Sequence, residues 1–229
     1  MKPVLLIAII VCFVSACTEN KTSNENAVST SDSLVKQDNG DIATNRPAQD
    51  TNNESAENKL IIAGKSIGKI ELDKNDSVIA IELGKPDMSD AAMGKAWLTW
   101  YGKKPDEHNN KTQLNIYTAY KDTSMREKTI QQIRTTSSFF ETKNGLHVYS
   151  SFRDIKKQFP GIKKVATYTD EGRAIIVYDA QQQGIAFEIV SANDQEICTG
   201  IIIHQKGVKV TKTYISLHPD MQIIKLGSQ

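Results

Sequence analysis

The chain has 229 residues, 28 basic against 27 acidic, a formal net charge of +1 and a hydrophobic fraction of 39%. That balance excludes a multi-span membrane protein, a collagen-like chain and a strongly basic nucleic-acid binder. With three cysteines in the whole sequence, a disulfide scaffold is excluded as well.

In chain order, Met1-Lys2 supplies a positive end, and Val4 to Val14 is an unbroken apolar run of 11 residues. Crossing a bilayer core takes about 20 helical residues, so the run is too short to be a span. It has the length of the apolar region of an export signal. Val14-Ser15-Ala16-Cys17 then closes the segment. An ordinary secretory signal cut near Ala16 is the plainer alternative.

An aliphatic residue, two small residues and a Cys resemble the lipobox of bacterial lipoproteins. The resemblance implies removal of residues 1–16 as a signal peptide, diacylglycerol on the Cys17 thiol, and a further acyl chain on its freed amine. Acyl chains stabilise membrane attachment by about 0.8 kcal/mol per buried methylene, so two or three give permanent anchoring. The expected location is the bacterial cell envelope, on the periplasm-facing outer membrane. Cys12 leaves with the signal and Cys17 carries lipid, which leaves Cys198 without a disulfide partner. Cys198 lies in a strand-like stretch and reads as a small core residue.

With Cys17, residues 18–58 read as a polar tether. They hold eight Asn, eight acids, three bases and no aromatic residue. So little apolar surface cannot offset the entropy of ordering. A flexible coil of this length reaches about 35 Å on average.

Residues 59–229 read as the folded part, with 24 basic and 19 acidic residues. An internal duplication organises it. Leu72, Ile79 and Leu83 precede Gly84-Lys85-Pro86, and Val148, Ile155 and Phe159 precede Pro160-Gly161 at one offset of 76 residues. Trp97–Tyr101 then parallels Ala174–Tyr178, Leu114–Thr118 parallels Ile185–Ile189, and Thr129–Thr135 parallels Thr199–Gln205. Each unit reads as a helix followed by three strands. In the second helix Ser151 and Asp154 have capping-box spacing, and Phe152, Ile155 and Phe159 share one face. Asn75 to Leu83 is the weaker helix, because its β-branched residues favour strand. The expected fold is therefore α+β, with two tandem units, 59–140 and 141–229, each a helix packed on an antiparallel sheet.

This layout resembles the tandem modules of the bacterial β-lactamase-inhibitor protein fold. One unit is similar to the small lipoprotein of the outer-membrane barrel-assembly machine. The stretch from Leu72 through Leu83-Gly84-Lys85-Pro86-Asp87 carries the resemblance. Asn75 stands where a Ser or Thr cap is usual, and the second copy lacks the Gly-x-Pro end. The resemblance implies protein binding on a sheet face.

Most chemical motifs fail on their surroundings. Gly64-Lys65-Ser66-Ile67-Gly68 matches a nucleophile elbow, which needs a helix directly after it. Lys69-Ile70-Glu71-Leu72 alternates as a strand instead. A phosphate loop would need Gly at position 59, which is Lys59. His108, His147, His204 and His218 fall in different elements, so no metal site and no cofactor is expected.

One feature is a candidate site. If Leu98 and Trp100 face the core, Trp97, Thr99 and Tyr101 share the opposite face. Tyr117, Gln132 and Arg134 join them on neighbouring strands. Trp97, Tyr101, Tyr117, Gln132 and Arg134 form an aromatic and arginine-containing face, the composition of a protein-binding patch. The alternative is that the C-terminal stretch around Val208 to Leu217 covers this face. The sequence thus reads as a non-enzymatic, lipid-anchored binding or assembly module. Its partners are the membrane, through the lipid, and an envelope protein or other envelope ligand, with no nucleic acid. The rival readings are a hydrolase using Ser66 and a carrier of a small apolar ligand.

Overall fold

The structure is a computed structural model that describes residues 58–192 and 195–225. The expected signal peptide, Cys17 and the tether up to residue 57 lie outside the described residues.

Four short strands open and brace the fold: β1 (Leu60–Ile62), β2 (Ser66–Ile67), β3 (Ile70–Glu71) and β8 (Glu141–Thr142), in the order β3-β2-β1-β8. The first helix, α1, spans Ser77–Leu83. A meander follows it: β4 (Met88–Ala92), β5 (Lys95–Tyr101), β6 (Gln113–Tyr120) and β7 (Lys128–Thr135). The second helix, α2 (Phe152–Gln158), leads a second meander: β9 (Lys163–Asp170), β10 (Arg173–Ala180), β11 (Ile185–Ala192) and β12 (Gln195–His204). The last strand is β13 (Gln222–Ile223). Ser151 caps α2 as its sequence predicts, accepting a hydrogen bond from the Asp154 amide at 3.2 Å.

The expected fold class needs correction. The chain is mostly β, with thirteen strands and two seven-residue helices among the described residues. The larger sheet is one nine-stranded antiparallel array, β13-β9-β10-β11-β12-β7-β6-β5-β4. It does not divide into two helix-on-sheet units. The reason lies at β7 and β12, where Ile201 to His204 pair with Thr135 to Gln132 and fuse the meanders. Each meander also has four strands rather than three. The extra strands, β4 and β9, lack the apolar alternation that marks the others.

The first face of this sheet carries the main core. Ile116, Ile133, Ile185, Phe187, Ile201 and Ile203 project into it from both meanders. Ile79 of α1, Phe152 and Ile155 of α2, and Ile61, Ile67 and Ile70 of the small sheet close it from above. Each such side chain, fully buried, contributes about 1.5–3 kcal/mol. Two-turn helices supply only a minor part of this core, which is why strand pairing sets the architecture.

A C-terminal segment, residues 205–225, covers the opposite face. Val210 sinks among Ala166, Tyr168, Ile175, Val177, Ala186, Val190 and Ile202, while Ile215 and Leu217 pack on Trp97, Tyr117 and Ala119. Only Gln222–Ile223 of this strap forms a strand, against Thr167 and Ala166 of β9.

Candidate binding surfaces

Four of the five residues predicted as a surface patch are brought together, but beneath the strap. Trp97 and Tyr117 are 5% and 2% exposed, with ring centroids 5.1 Å apart. Their polar ends hold the strap's backbone. Trp97 Nε1 donates to the Ile215 carbonyl at 2.9 Å, and the Tyr117 hydroxyl accepts from the Tyr214 amide at 3.0 Å. Gln132 Nε2 donates to the Val210 carbonyl at 2.6 Å. Asp179 Oδ2 accepts the Val210 amide at 3.0 Å, while its Oδ1 lies 3.1 Å from His204 Nε2. The open aromatic patch expected here is therefore a face that holds the chain's own C-terminal segment through side-chain-to-backbone bonds. An irregular segment cannot satisfy its backbone within a ladder, so the sheet's side chains do so.

Arg134 belongs to a polar ladder across the same face. Asn115 Nδ2 donates to Thr99 Oγ1 at 2.9 Å, and Arg134 Nη1 donates to Asn115 Oδ1 at 2.8 Å. Arg134 Nε donates to Glu188 Oε1 at 2.9 Å and Nη2 to Oε2 at 2.7 Å. Burial by itself would lower the Arg134 pKa, but Glu188 beside it outweighs that and raises it. Burial would likewise raise the Glu188 carboxyl, yet the guanidinium holds it below the usual carboxylate range. Both groups therefore stay charged. Glu188 reaches Arg134 by passing over Gly200 of β12, where an added Cβ would fall on Glu188 Oε2 and lie 2.9 Å from Cδ. A side chain at 200 and the ion pair cannot share that space.

His218 of the strap stacks on Tyr168, ring centroids 3.7 Å apart and planes within 12°. Its Nε2 lies 3.9 Å from Glu188 Oε1 and has no hydrogen-bond partner among the described residues. Burial holds its imidazole below the ordinary histidine value despite Glu188. A cavity of about 30 Å³ lies between His218, Arg134, Glu188 and Trp97. That volume is of the order of one water molecule, far below the roughly 300 Å³ at which small-molecule pockets begin.

Tyr101, the fifth predicted residue, stands apart at the sheet's outer margin. It is half-buried, its amide donates to Asp87 Oδ2 at 2.8 Å and its hydroxyl to Met88 Sδ at 2.9 Å. Met88 begins β4, the terminal strand of the large sheet. All five residues of β4 are exposed, and Met93 beyond it is 75% exposed. β4 carries one charged residue, Asp90, and no Lys or Pro, the residues that commonly blunt an exposed edge. The opposite margin is closed by the chain itself, through β13 on β9.

Ser66 is buried in the two-residue strand β2, and the next element is β3 rather than a helix. Gly64 and Gly68 flank it at φ +66° and +53°, so the Gly-x-Ser-x-Gly spacing reflects two tight turns. Gly64 also abuts Gly184, its amide donating to the Gly184 carbonyl at 3.0 Å. No group of three or more His, Cys, Asp or Glu fit to hold a metal ion occurs among the described residues. Cys198 is buried, and burial raises its thiol pKa.

No protein-family model and no curated protein matches the chain. Two solved structures are similar to it. A DUF4309 family protein, YjgB, from Bacillus subtilis shares 14% identity, with a TM-score of 0.37 over 68% of this chain and 92% of that one. The uncharacterized protein yfeY from Escherichia coli shares 12% identity, with a TM-score of 0.35 over 63% of this chain and 99% of that one. At those scores neither likeness establishes a common fold or bears on function.

Proposed function

We propose that this chain is a lipid-anchored module of the bacterial cell envelope that binds an envelope protein and carries out no reaction. The lipobox-like Val14-Ser15-Ala16-Cys17 supports the anchor. The observation that carries the binding reading is the open margin of the nine-stranded sheet at β4. An unpaired edge strand presents a row of backbone donors and acceptors, and an extended segment of a partner satisfies them by joining the sheet. At the opposite margin this same sheet already takes up an extended segment, β13 of its own chain. Asp87 and Asp90 make the β4 edge acidic, which favours a partner segment with a basic residue. Of the residues picked out from sequence, Tyr101 lies beside this edge, whereas Trp97, Tyr117 and Gln132 hold the strap that covers them and Arg134 pairs with Glu188.

Photo-crosslinking in intact cells tests the reading. A crosslinker at Ala91 should give one defined protein adduct that a crosslinker at Thr123, on the β6–β7 turn, does not. The Ser89→Lys, Ala92→Lys double variant should abolish it. Identical adducts from both positions, or adducts indifferent to the two lysines, would discard β4 as the site.

A further inference from the structure

Three lysines of the folded part line one cavity. A cavity of about 520 Å³ opens where the strap meets the start of β9 and the turn after β10. Lys163, Lys209 and Lys225 line it, together with Gln181, Gln182 and Gln183. Lys163 comes from β9, and Lys209 and Lys225 from the strap, one before β13 and one after it. All three are exposed, and among the described residues none takes part in an ion pair or cation–π contact, unlike Lys65, Lys74, Lys121 and Lys157, which have acidic partners. The single acid in the lining, Asp179, is buried and already engaged by the Val210 amide and His204. Lys164, Lys206 and Lys212 are exposed on the same segments. Ile223, 60% exposed, and Val165 supply an apolar side to the same cavity.

Three lysines around one cavity, with the Gln182 and Gln183 amides and an apolar wall alongside, match a phosphate group attached to hydrocarbon. We infer that this cavity binds the phosphate headgroup of an anionic phospholipid. Ile223 then lies toward the acyl region and the lysines toward the phosphate plane. This deepens the anchoring reading and rests on it for location, because a lipid on Cys17 would keep headgroups at high local concentration around the domain. Even a weak site is filled under those conditions. The lysines also set which side of the domain faces the membrane.

The test uses the full chain lacking its signal peptide, with Cys17→Ser so that no lipid is attached. Sedimentation is measured with vesicles of phosphatidylcholine alone and of equal parts phosphatidylcholine and phosphatidylglycerol, at low and at physiological salt. The protein should bind the anionic vesicles only. Lys163→Gln, Lys209→Gln, Lys225→Gln together should weaken binding about 100-fold, near fivefold per lysine, with an unchanged circular-dichroism spectrum. A matched triple, Lys103→Gln, Lys104→Gln, Lys143→Gln, should leave at least a tenth of the binding. Equal loss in both triples makes attraction a matter of net charge and overturns the site, as does equal binding to neutral vesicles. Inorganic phosphate that displaces the vesicles at micromolar concentration overturns the lipid assignment in favour of the free anion. Because the anchor is removed by design, the outcome does not depend on whether Cys17 is acylated in cells.

Discussion

Gly200→Ala is the sharpest probe of the ladder beneath the strap. Gly200 lies inside β12 and has no left-handed φ, so its backbone accepts alanine. On backbone entropy alone, the change should stabilise the protein by about 0.4–1 kcal/mol. The new methyl group, however, occupies the path of the Glu188 carboxylate to Arg134. Both side chains are almost fully buried, 1% and 6% exposed, so Glu188 cannot swing into solvent and keep its solvation. Breaking a buried pair costs about 3–5 kcal/mol, because each ion is left uncompensated. The net expectation is a loss of about 2–4 kcal/mol. For a domain of this size that lowers Tm by about 5–15 °C. Thermal unfolding followed by circular dichroism measures it. The same substitution in an Arg134→Met, Glu188→Leu background should be neutral or stabilising, which isolates the coupling. A Tm for Gly200→Ala within a degree of wild type, or the same loss in both backgrounds, refutes the reasoning.

Other consequences follow from the same face. Glu188→Gln leaves Arg134 buried against a neutral amide and should cost about 3–5 kcal/mol in urea unfolding, more than Arg134→Met with Glu188→Leu. Acidification should loosen the strap. The His218 pKa is lowered in the folded state, so its stabilisation is complete above the unfolded value near 6.5 and is lost as pH falls toward the folded value. Glu188, also lowered when folded, adds a loss in the same direction below about pH 4.5. Protonated His218 would face Glu188, Arg134, Asp170 and Asp220. His218→Phe keeps the stack on Tyr168 and should flatten the decline in Tm between pH 7 and 5; an unchanged slope assigns the decline elsewhere. Cys198, with 0% exposure and a raised thiol pKa, should resist thiol reagents in native protein and react only on unfolding. Labelling within minutes in native buffer would contradict its burial.

The strands most legible in the sequence are those with strong alternation. Trp97–Tyr101, Leu114–Thr118, Thr129–Thr135, Ala174–Tyr178 and Ile185–Ile189 all lie within observed strands. Ser151, Phe152 and Ile155 likewise sit at the cap and on the buried face of α2. Strands β4, Met-Ser-Asp-Ala-Ala, and β9, beginning Lys-Lys, escaped because neither buries enough on both sides to show a period. The fusion of the two meanders was not visible, since nothing local distinguishes an edge strand from one whose partner lies some 70 residues away. The same holds for the face. Alternation placed Trp97, Tyr117, Gln132 and Arg134 together, but could not say that an irregular strap covers them. Glu188, midway in the apolar strand Ile185–Val190, was the available signal: a charge there needs a buried partner of opposite sign. Thr99 and Asn115 gave no comparable sign.

Cys17, outside the described residues, decides whether the chain is anchored by lipid. Protein taken from cells should yield, by mass spectrometry, a mature chain beginning at Cys17 and carrying acyl mass, and Cys17→Ser should release the protein from membranes into buffer. A mature N-terminus free of acyl chains, in wild-type protein that washes from membranes without detergent, would contradict it.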